Sequence, residues 1–400
     1  MGYNKSMKRK AIPLFFALPF VLTGCHIDSP GKTEIPLERL KGKSYSFYSF
    51  TVPICVALYA DFSDIAEAER TRKTVEEVKS LFLEIENSLS VSVETSAIAR
   101  FNRAAAGEKV TIDEISYTVL GIAKKMYDLT GGAYNPAVGM SVDLWGFTPR
   151  FQGDYEPTEP YDREVNGEGK FYSLPDENYI SAFASLSDFG EVEIWEENGA
   201  YYAKKPKQSV TIDGVSYSMR LDLGGIGKGY AADEGAKLLR ERGYDYGYLN
   251  VGSSSVALLK SVKQETDYAW NFGFRHPRDK GNYLELSLKD ETSSTSGDYE
   301  NFYVLNEVRY SHIIDPSTGR PYSSDLITAT VYGLPAAEAD ALSTAILILG
   351  REKALALLDE KFPSVSYAMV GEEGDLLTLS TNFETYRLLD QNMEIEDENV

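Results

Sequence analysis

The sequence has little of what staples, metallates or anchors many exported proteins. Its 400 residues include only two cysteines, Cys25 and Cys55, too few for a disulfide framework. Three histidines occur, His26, His276 and His312, and they do not cluster with the cysteines, which excludes a zinc site of the usual ligand spacing. Basic residues are outnumbered, with 40 Lys plus Arg against 61 Asp plus Glu and a net charge of −21. That balance excludes nucleic acid as a partner and excludes electrostatic docking on anionic lipid. There is no long apolar run either. Ala11 to Leu22 is about a dozen residues, where a spanning helix needs roughly 20.

What stands at the N-terminus has another use. Lys5, Lys8, Arg9 and Lys10 precede the apolar stretch, which ends in Leu22-Thr23-Gly24-Cys25. This is the order of a secretory signal peptide over residues 1–24. Leu-Thr-Gly-Cys is similar to the lipobox of bacterial lipoproteins, which implies an acylated Cys25 as the first mature residue and a lipid anchor on the extracytoplasmic side of the cell membrane. Cys55 is then the one thiol left, so no internal disulfide forms and the body must be held by its core. Residues 25–44, rich in Pro, Gly, Lys and Glu, read as a tether.

The body is expected over residues 45–390, as two subdomains. Tyr45 to Tyr59 is aromatic and β-branched and predicts one or two strands, with Cys55 as a small buried apolar residue within them. Val75, Val78, Leu81, Phe82, Ile85 and Leu89 share one face of a helix expected from Ile65 to Leu89. A second helix, Ile112 to Thr130, stops at Gly131-Gly132. Residues 148–176, dense in Pro, Gly, Glu, Asp and Tyr without periodicity, read as a surface insertion. Further strands are expected at Val192–Trp195, Tyr201–Lys204, Met219–Leu223, Trp270–Phe274, Tyr283–Leu288, Tyr303–Leu305 and Leu326–Tyr332, with helices at Ile180–Ser187, Tyr230–Arg242 and Ala336–Leu349. Many short strands among few helices predict an α+β fold of mostly antiparallel sheets rather than a parallel Rossmann sheet. Residues 391–400 read as a frayed acidic tail.

Three segments could carry chemistry. Leu221-Asp222-Leu223-Gly224-Gly225-Ile226-Gly227-Lys228-Gly229-Tyr230-Ala231 leads through glycines into a helix, and amides at such a bend, with Lys228, can hold phosphate. It is neither a Walker loop, which needs Ser or Thr after Gly-Lys, nor a Rossmann fingerprint, which needs Gly where Tyr230 stands. Read alone it is equally a tight turn with a solvated lysine. Asp340 and Thr344, four apart, share a helix face and are hard oxygen ligands suited to Mg²⁺. Read alone, they are an exposed first-turn Asp and a Thr bonded back to its helix. His312 heads Asp315-Pro316-Ser317-Thr318-Gly319, a turn sequence. No Gly-x-Ser-x-Gly elbow exists, and Gly252-Ser253-Ser254-Ser255 reads as a flexible or anion-binding turn.

The order of these segments is more telling than any one of them. Ser96-Ala97-Ile98-Ala99-Arg100-Phe101-Asn102, Thr130 to Gly139 with Leu144-Trp145-Gly146-Phe147, Leu221 to Ala232, Ser311 to Gly319 and Glu338 to Thr344 together resemble the FAD:protein FMN transferase family, also called ApbE. The resemblance implies an α+β fold related to the tunnelling fold. It implies FAD contacts at Ala133, Tyr134, Asn135, Asp222, Lys228 and Ile314, and Mg²⁺ held by the Gly225 carbonyl, Asp340 and Thr344. Two departures stand out. Ser343 replaces a second Asp of some relatives, and Gly252 to Ser255 replaces a more common Gly-Gly pair.

The expected activity is Mg²⁺-dependent cleavage of FAD, with FMN passed to a Thr or Ser of a partner protein in an electron-transfer system and AMP released. His312 would take the proton of the attacking hydroxyl. Delivery to water instead would make an FAD pyrophosphatase. A flavin-binding lipoprotein would keep FAD intact, and a purely structural lipoprotein would bind no flavin.

Overall fold

The computed structural model describes residues 36–148 and 161–397, apart from 166–167, 173, 264–266, 373, 375 and 381–385. The signal peptide, Cys25 and most of the tether lie outside the described residues. From Leu37 onward the chain belongs to one compact unit.

Its frame is a nine-stranded sheet whose strands lie side by side in chain order. They are Lys41–Ser49, Val52–Ala60, Gly247–Val251, Ser255–Leu258, Thr292–Gly297, Leu326–Tyr332, Ser366–Gly371, Leu376–Leu379 and Glu394–Asp397. Every pairing in it is antiparallel except the last, where Glu394–Asp397 runs parallel to Leu376–Leu379. The fold is therefore α+β and mostly antiparallel.

Both faces of the sheet are covered, and the side-chain period of two sorts its residues between them. Ala257, Leu259 and Met369 enter the helix-covered core, while Val256, Leu258, Ala368 and Val370 face a second sheet formed by Trp270–Arg275, Asn282–Leu288 and Tyr386–Leu388. On the helical side lie α1 (Ile65–Leu89), α2 (Ala97–Arg103), α3 (Glu114–Leu129), α4 (Gly139–Leu144), α5 (Glu177–Ala184), α6 (Gly227–Glu241), α7 (Ala336–Leu349) and α8 (Arg351–Lys361). Helix α1 begins where Asp64 accepts the N–H of Ala66 and buries Val75, Val78, Phe82, Ile85 and Leu89, as its spacing predicts. Helix α3 is capped by Asp113 and ends at Gly131 and Gly132, whose φ values of 61° and 85° only glycine adopts freely. Helix α7 is apolar nearly all round and is accordingly buried nearly all round, between the sheet, α3, α6 and α8.

The structure departs from the sequence reading at five places. The strand Lys41–Ser49 starts inside the stretch read as tether, because its residues pair throughout with Val52–Ala60. Residues 148–176 hold, in their described part, a hairpin of Tyr161–Val165 with Glu168–Tyr172. Met219–Leu223 belongs to no strand among the described residues. The acidic tail is a strand at Glu394–Asp397, since a neighbouring edge at Leu376–Leu379 satisfies its backbone. Cys55 is a free thiol in the second strand, half-buried rather than fully buried.

Candidate functional site

Helices α6 and α7 start side by side, and neither has a side-chain cap of its own. Ile226 and Pro335 occupy the cap positions, and neither side chain offers an acceptor. Each helix instead caps the other. The N–H of Gly229 in α6 donates to Asp340 Oδ2 of α7 at 3.2 Å. The N–H groups of Ala336 and Ala337 in α7 donate to Asp233 of α6, at 2.8 and 2.9 Å. Orphan donors of both first turns are thus satisfied by carboxylates placed at the positive ends of both helix dipoles. Gly229 makes the approach possible, because a Cβ there would lie 2.2 Å from the carbonyl oxygen of Ala336.

The capping carboxylate of Asp340 is 2 % exposed. Burial pushes its pKa up, while Lys228 and the Gly229 N–H pull it down. Four residues along, Thr344 Oγ1 bonds back to the Asp340 carbonyl at 3.1 Å and lies 3.0 Å from Ser296 Oγ. Gly225, in the bend before α6, stands against the same threonine, for a Cβ there would be 3.3 Å from Thr344 Oγ1. Asp340, Thr344 and Gly225, chosen from separate parts of the sequence, therefore converge.

They line one cleft of about 350 Å³ with Tyr134, Asn135, Asp222, Lys228, His312 and Ile314. Ala133 does not reach it. It is buried in the core behind Tyr134. Asn135 is at the wall, but both ends of its amide serve the fold: Oδ1 accepts from the N–H of Ala137 at 2.9 Å and Nδ2 donates to the Ser187 carbonyl at 2.7 Å. Tyr134 is 3 % exposed, and its hydroxyl has no hydrogen-bond partner among the described residues. Burial, then Asp340 and Asp222, hold that phenol far above its ordinary pKa, so it is a donor waiting for an acceptor.

Lys228 Nζ bonds to the Gly224 carbonyl at 3.0 Å and faces Asp222, Asp340 and Glu300 electrostatically. Asp222 accepts the Gly224 N–H at 2.7 Å, and its own N–H donates to Pro136, tying the glycine bend to the Tyr134 segment. Burial raises both Asp222 and Glu300. Three carboxylates about one lysine leave the cleft short of positive charge, and the oxygens of Asp340, Thr344 and Gly225 are the hard donors a divalent cation prefers. A different cluster, His276, Asp279 and Asp390, is less suited to an ion. There His276 Nδ1 already accepts the N–H groups of Arg278 and Asp279.

His312 follows the hairpin of Phe302–Leu305 and Val308–Ser311. Its Nδ1 lies 3.1 Å from the Asn301 carbonyl, which can only accept, so Nδ1 carries the proton and Nε2 keeps its lone pair. Burial, with Lys228 adding to it, pushes the imidazole pKa down to about 4. At neutral pH it is an uncharged base, set edge-on to the ring of Phe147.

Several residues of the cleft escaped sequence reading. Ser296 lies in Thr292–Gly297, an all-Ser/Thr/Gly strand whose polar composition was the available signal. Glu300 also lines it, as do Phe50 and Thr51, a hairpin turn with φ of 52° and 61°. For these no local signal exists. Ser254 lines it too, within the Gly252-Ser253-Ser254-Ser255 stretch that the sequence marks as a flexible or anion-binding turn.

The model of the ApbE family matches residues 49–369. The chain is 31% identical over 336 residues to the FAD:protein FMN transferase of Treponema pallidum (strain Nichols), covering 82% of this chain and 85% of that protein. It is 26% identical over 330 residues to the FAD:protein FMN transferase of Escherichia coli (strain K12), covering 82% and 85%. Among solved structures, the ApbE protein of Thermotoga maritima MSB8 superposes with a TM-score of 0.69 at 25% identity, covering 86% of this chain and 100% of that one. The flavin transferase ApbE from Vibrio cholerae superposes with a TM-score of 0.68 at 22% identity, covering 86% and 99%, a likeness of fold.

Proposed function

The chain belongs to the ApbE family, and from that premise we propose that it is an FAD:protein FMN transferase, moving FMN from FAD to a Thr or Ser hydroxyl of a partner protein and releasing AMP. The observation that carries this reading is the convergence of Asp340, Thr344 and Gly225 on a cleft that also holds Lys228 and an unprotonated His312 nitrogen.

The donor set fits Mg²⁺, which would be held by Asp340, Thr344 and the Gly225 carbonyl. When bound, the ion neutralises charge on the FAD pyrophosphate. The residues do the rest. Lys228 holds the phosphates at the start of α6, the N–H groups of Gly224, Ile226, Gly227 and Gly229 being already bonded within the protein. The Tyr134 hydroxyl can donate to a phosphate oxygen. Asp222 keeps the bend closed through its bond to Gly224.

His312 Nε2 takes the proton of the acceptor hydroxyl as that oxygen bonds to the FMN phosphorus. The bond between this phosphorus and the AMP oxygen breaks, and AMP leaves with the electron pair. Low charge on His312 matters, because a protonated imidazole could not accept.

The lipobox supports a further reading, that Cys25 is acylated and tethers the enzyme to the outer face of the membrane, where electron-transfer proteins would be its acceptors. Among the described residues no helix is long and apolar enough to cross a membrane. The test incubates residues 26–400 with FAD, Mg²⁺ and a flavin-acceptor domain. AMP together with an acceptor heavier by FMN supports the transferase. AMP with free FMN and an unmodified acceptor would replace it by an FAD pyrophosphatase, and bound but intact FAD by a flavin-binding protein.

A further inference from the structure

Met219–Leu223 leads into the glycine bend without a strand beside it among the described residues, yet Leu221 is buried, so its backbone must find partners elsewhere. One side chain supplies both. Asn102, near the end of α2, donates from Nδ2 to the Leu221 carbonyl at 2.8 Å and accepts the Leu221 N–H on Oδ1 at 2.8 Å. Facing residues of antiparallel strands exchange the same pair of bonds, made here by an amide 119 positions away. The flanking residues are tied as well: the Arg220 carbonyl accepts from Gly139 at 3.0 Å, and the Asp222 N–H donates to Pro136 at 2.7 Å.

Asn102 is itself held from behind. Lys205 is 1 % exposed, and its Nζ donates to the Asn102 carbonyl at 3.0 Å and to Ser218 Oγ at 3.2 Å. Neither acceptor is a carboxylate. Burial, with the Arg220 guanidinium adding to it against a smaller pull from Glu108, brings the Lys205 pKa down to about 8. An apolar side chain of similar length would fill the same space without desolvating a charge, which points away from packing as the task of this lysine.

The far end of this strut reaches the cleft. Leu221 precedes Asp222, whose carboxylate closes the glycine bend on the Gly224 N–H at 2.7 Å, and the bend sets Gly225 against Thr344. We propose that Asn102 and Lys205 are positioning residues of the FAD cleft: Lys205 fixes Asn102, Asn102 fixes the Leu221 backbone, and Leu221 sets where the Asp222 carboxylate and the Gly225 carbonyl stand. Neither residue lines the cleft that holds Asp340 and Thr344, so both act through the bend. The inference deepens the transferase reading and rests on it for the identity of the ligand.

Lys205→Met, Asn102→Ala and the double variant test it. Met fills nearly the same space without the charge, and Ala keeps the helix. FAD affinity is read by flavin fluorescence on mixing with Mg²⁺ present, before AMP appears, and thermal melts without FAD record the fold. Each single variant should bind FAD about tenfold or more weakly. Lys205→Met should melt within about 5 °C of wild type, relief of a buried charge offsetting the acceptors it leaves. Because Lys205 acts through Asn102, the double variant should bind no more than about twofold more weakly than Asn102→Ala. Wild-type affinity in both single variants overturns the proposal. Losses that multiply in the double variant overturn it too, since the two side chains then act separately, and so does a Lys205→Met loss accounted for by unfolded protein alone. A wild-type chain that binds FAD and loses affinity in this pattern on substitution, yet transfers no FMN to an acceptor, supports the strut and removes the transferase reading instead.

Discussion

Asp233 and Asp340 cap each other's helices, Asp233 receiving the first N–H groups of α7 and Asp340 the N–H of Gly229 in α6. The pair couples stability to chemistry, because the carboxylate that completes α6 is also the one that faces the cleft.

Gly229→Ala should destabilise the protein by about 1–3 kcal/mol, since the added methyl meets backbone at Ala336 and the two helices must part. Urea unfolding measures the loss. A midpoint equal to wild type would mean that the helices separate without cost.

Asp340→Asn should fold, because an amide oxygen can still accept from Gly229, and without Mg²⁺ it should be at least as stable as wild type, a buried carboxylate having been removed. Its Mg²⁺-dependent release of AMP should fall by about a hundredfold or more, beyond the loss usual for residues behind a ligand. Melting curves with and without Mg²⁺, beside an AMP assay, check both parts. Full turnover would sink the metal assignment.

His312→Gln should cost about 10²–10⁴ in transfer rate if the imidazole is the base. With its pKa pushed down to about 4, the wild-type imidazole stays unprotonated from pH 7 to 5, so the acid limb of its rate profile should lie near pH 4. The linkage has a definite sign. Between about 4 and the ordinary 6.5 the unfolded chain binds a proton that the native chain does not, so this group makes stability rise with pH across that window and adds nothing above it. His312→Gln should remove that slope. Unfolding midpoints at pH 5 and pH 7.5 decide it, and an unchanged slope would contradict the burial of the imidazole.

Asp233→Ala should lose about 1 kcal/mol as the first turn of α7 gives up its cap. Burial raises the Asp233 pKa to about 6, so the native state retains a proton that the unfolded state releases above the ordinary 3.8, and stability from this group falls as pH rises between those values. Asp233→Asn should flatten that fall, as read from thermal melts at pH 4.5 and pH 7.

The amino-acid sequence by itself determined the α+β class, the bounds of α1 and the glycine stop after α3, because each follows from local period, capping or turn chemistry, whereas Tyr134, Asn135, Asp222, Gly225 and Ile314 were marked for the cleft only by the family resemblance. Asp340 and Thr344 were legible as a pair because four residues bring side chains to one face of a helix. Tertiary structure alone decided the rest. It made Asp340 a cap for a helix more than a hundred positions away, gave Asn135 a structural task, left Ala133 off the cleft and turned an acidic tail into a strand. Ala133 is drawn away by core packing, and the other three share one reason. A buried N–H, a strand edge or an amide pairs with whichever partner packing brings near, and that partner's identity is not written in the neighbouring residues.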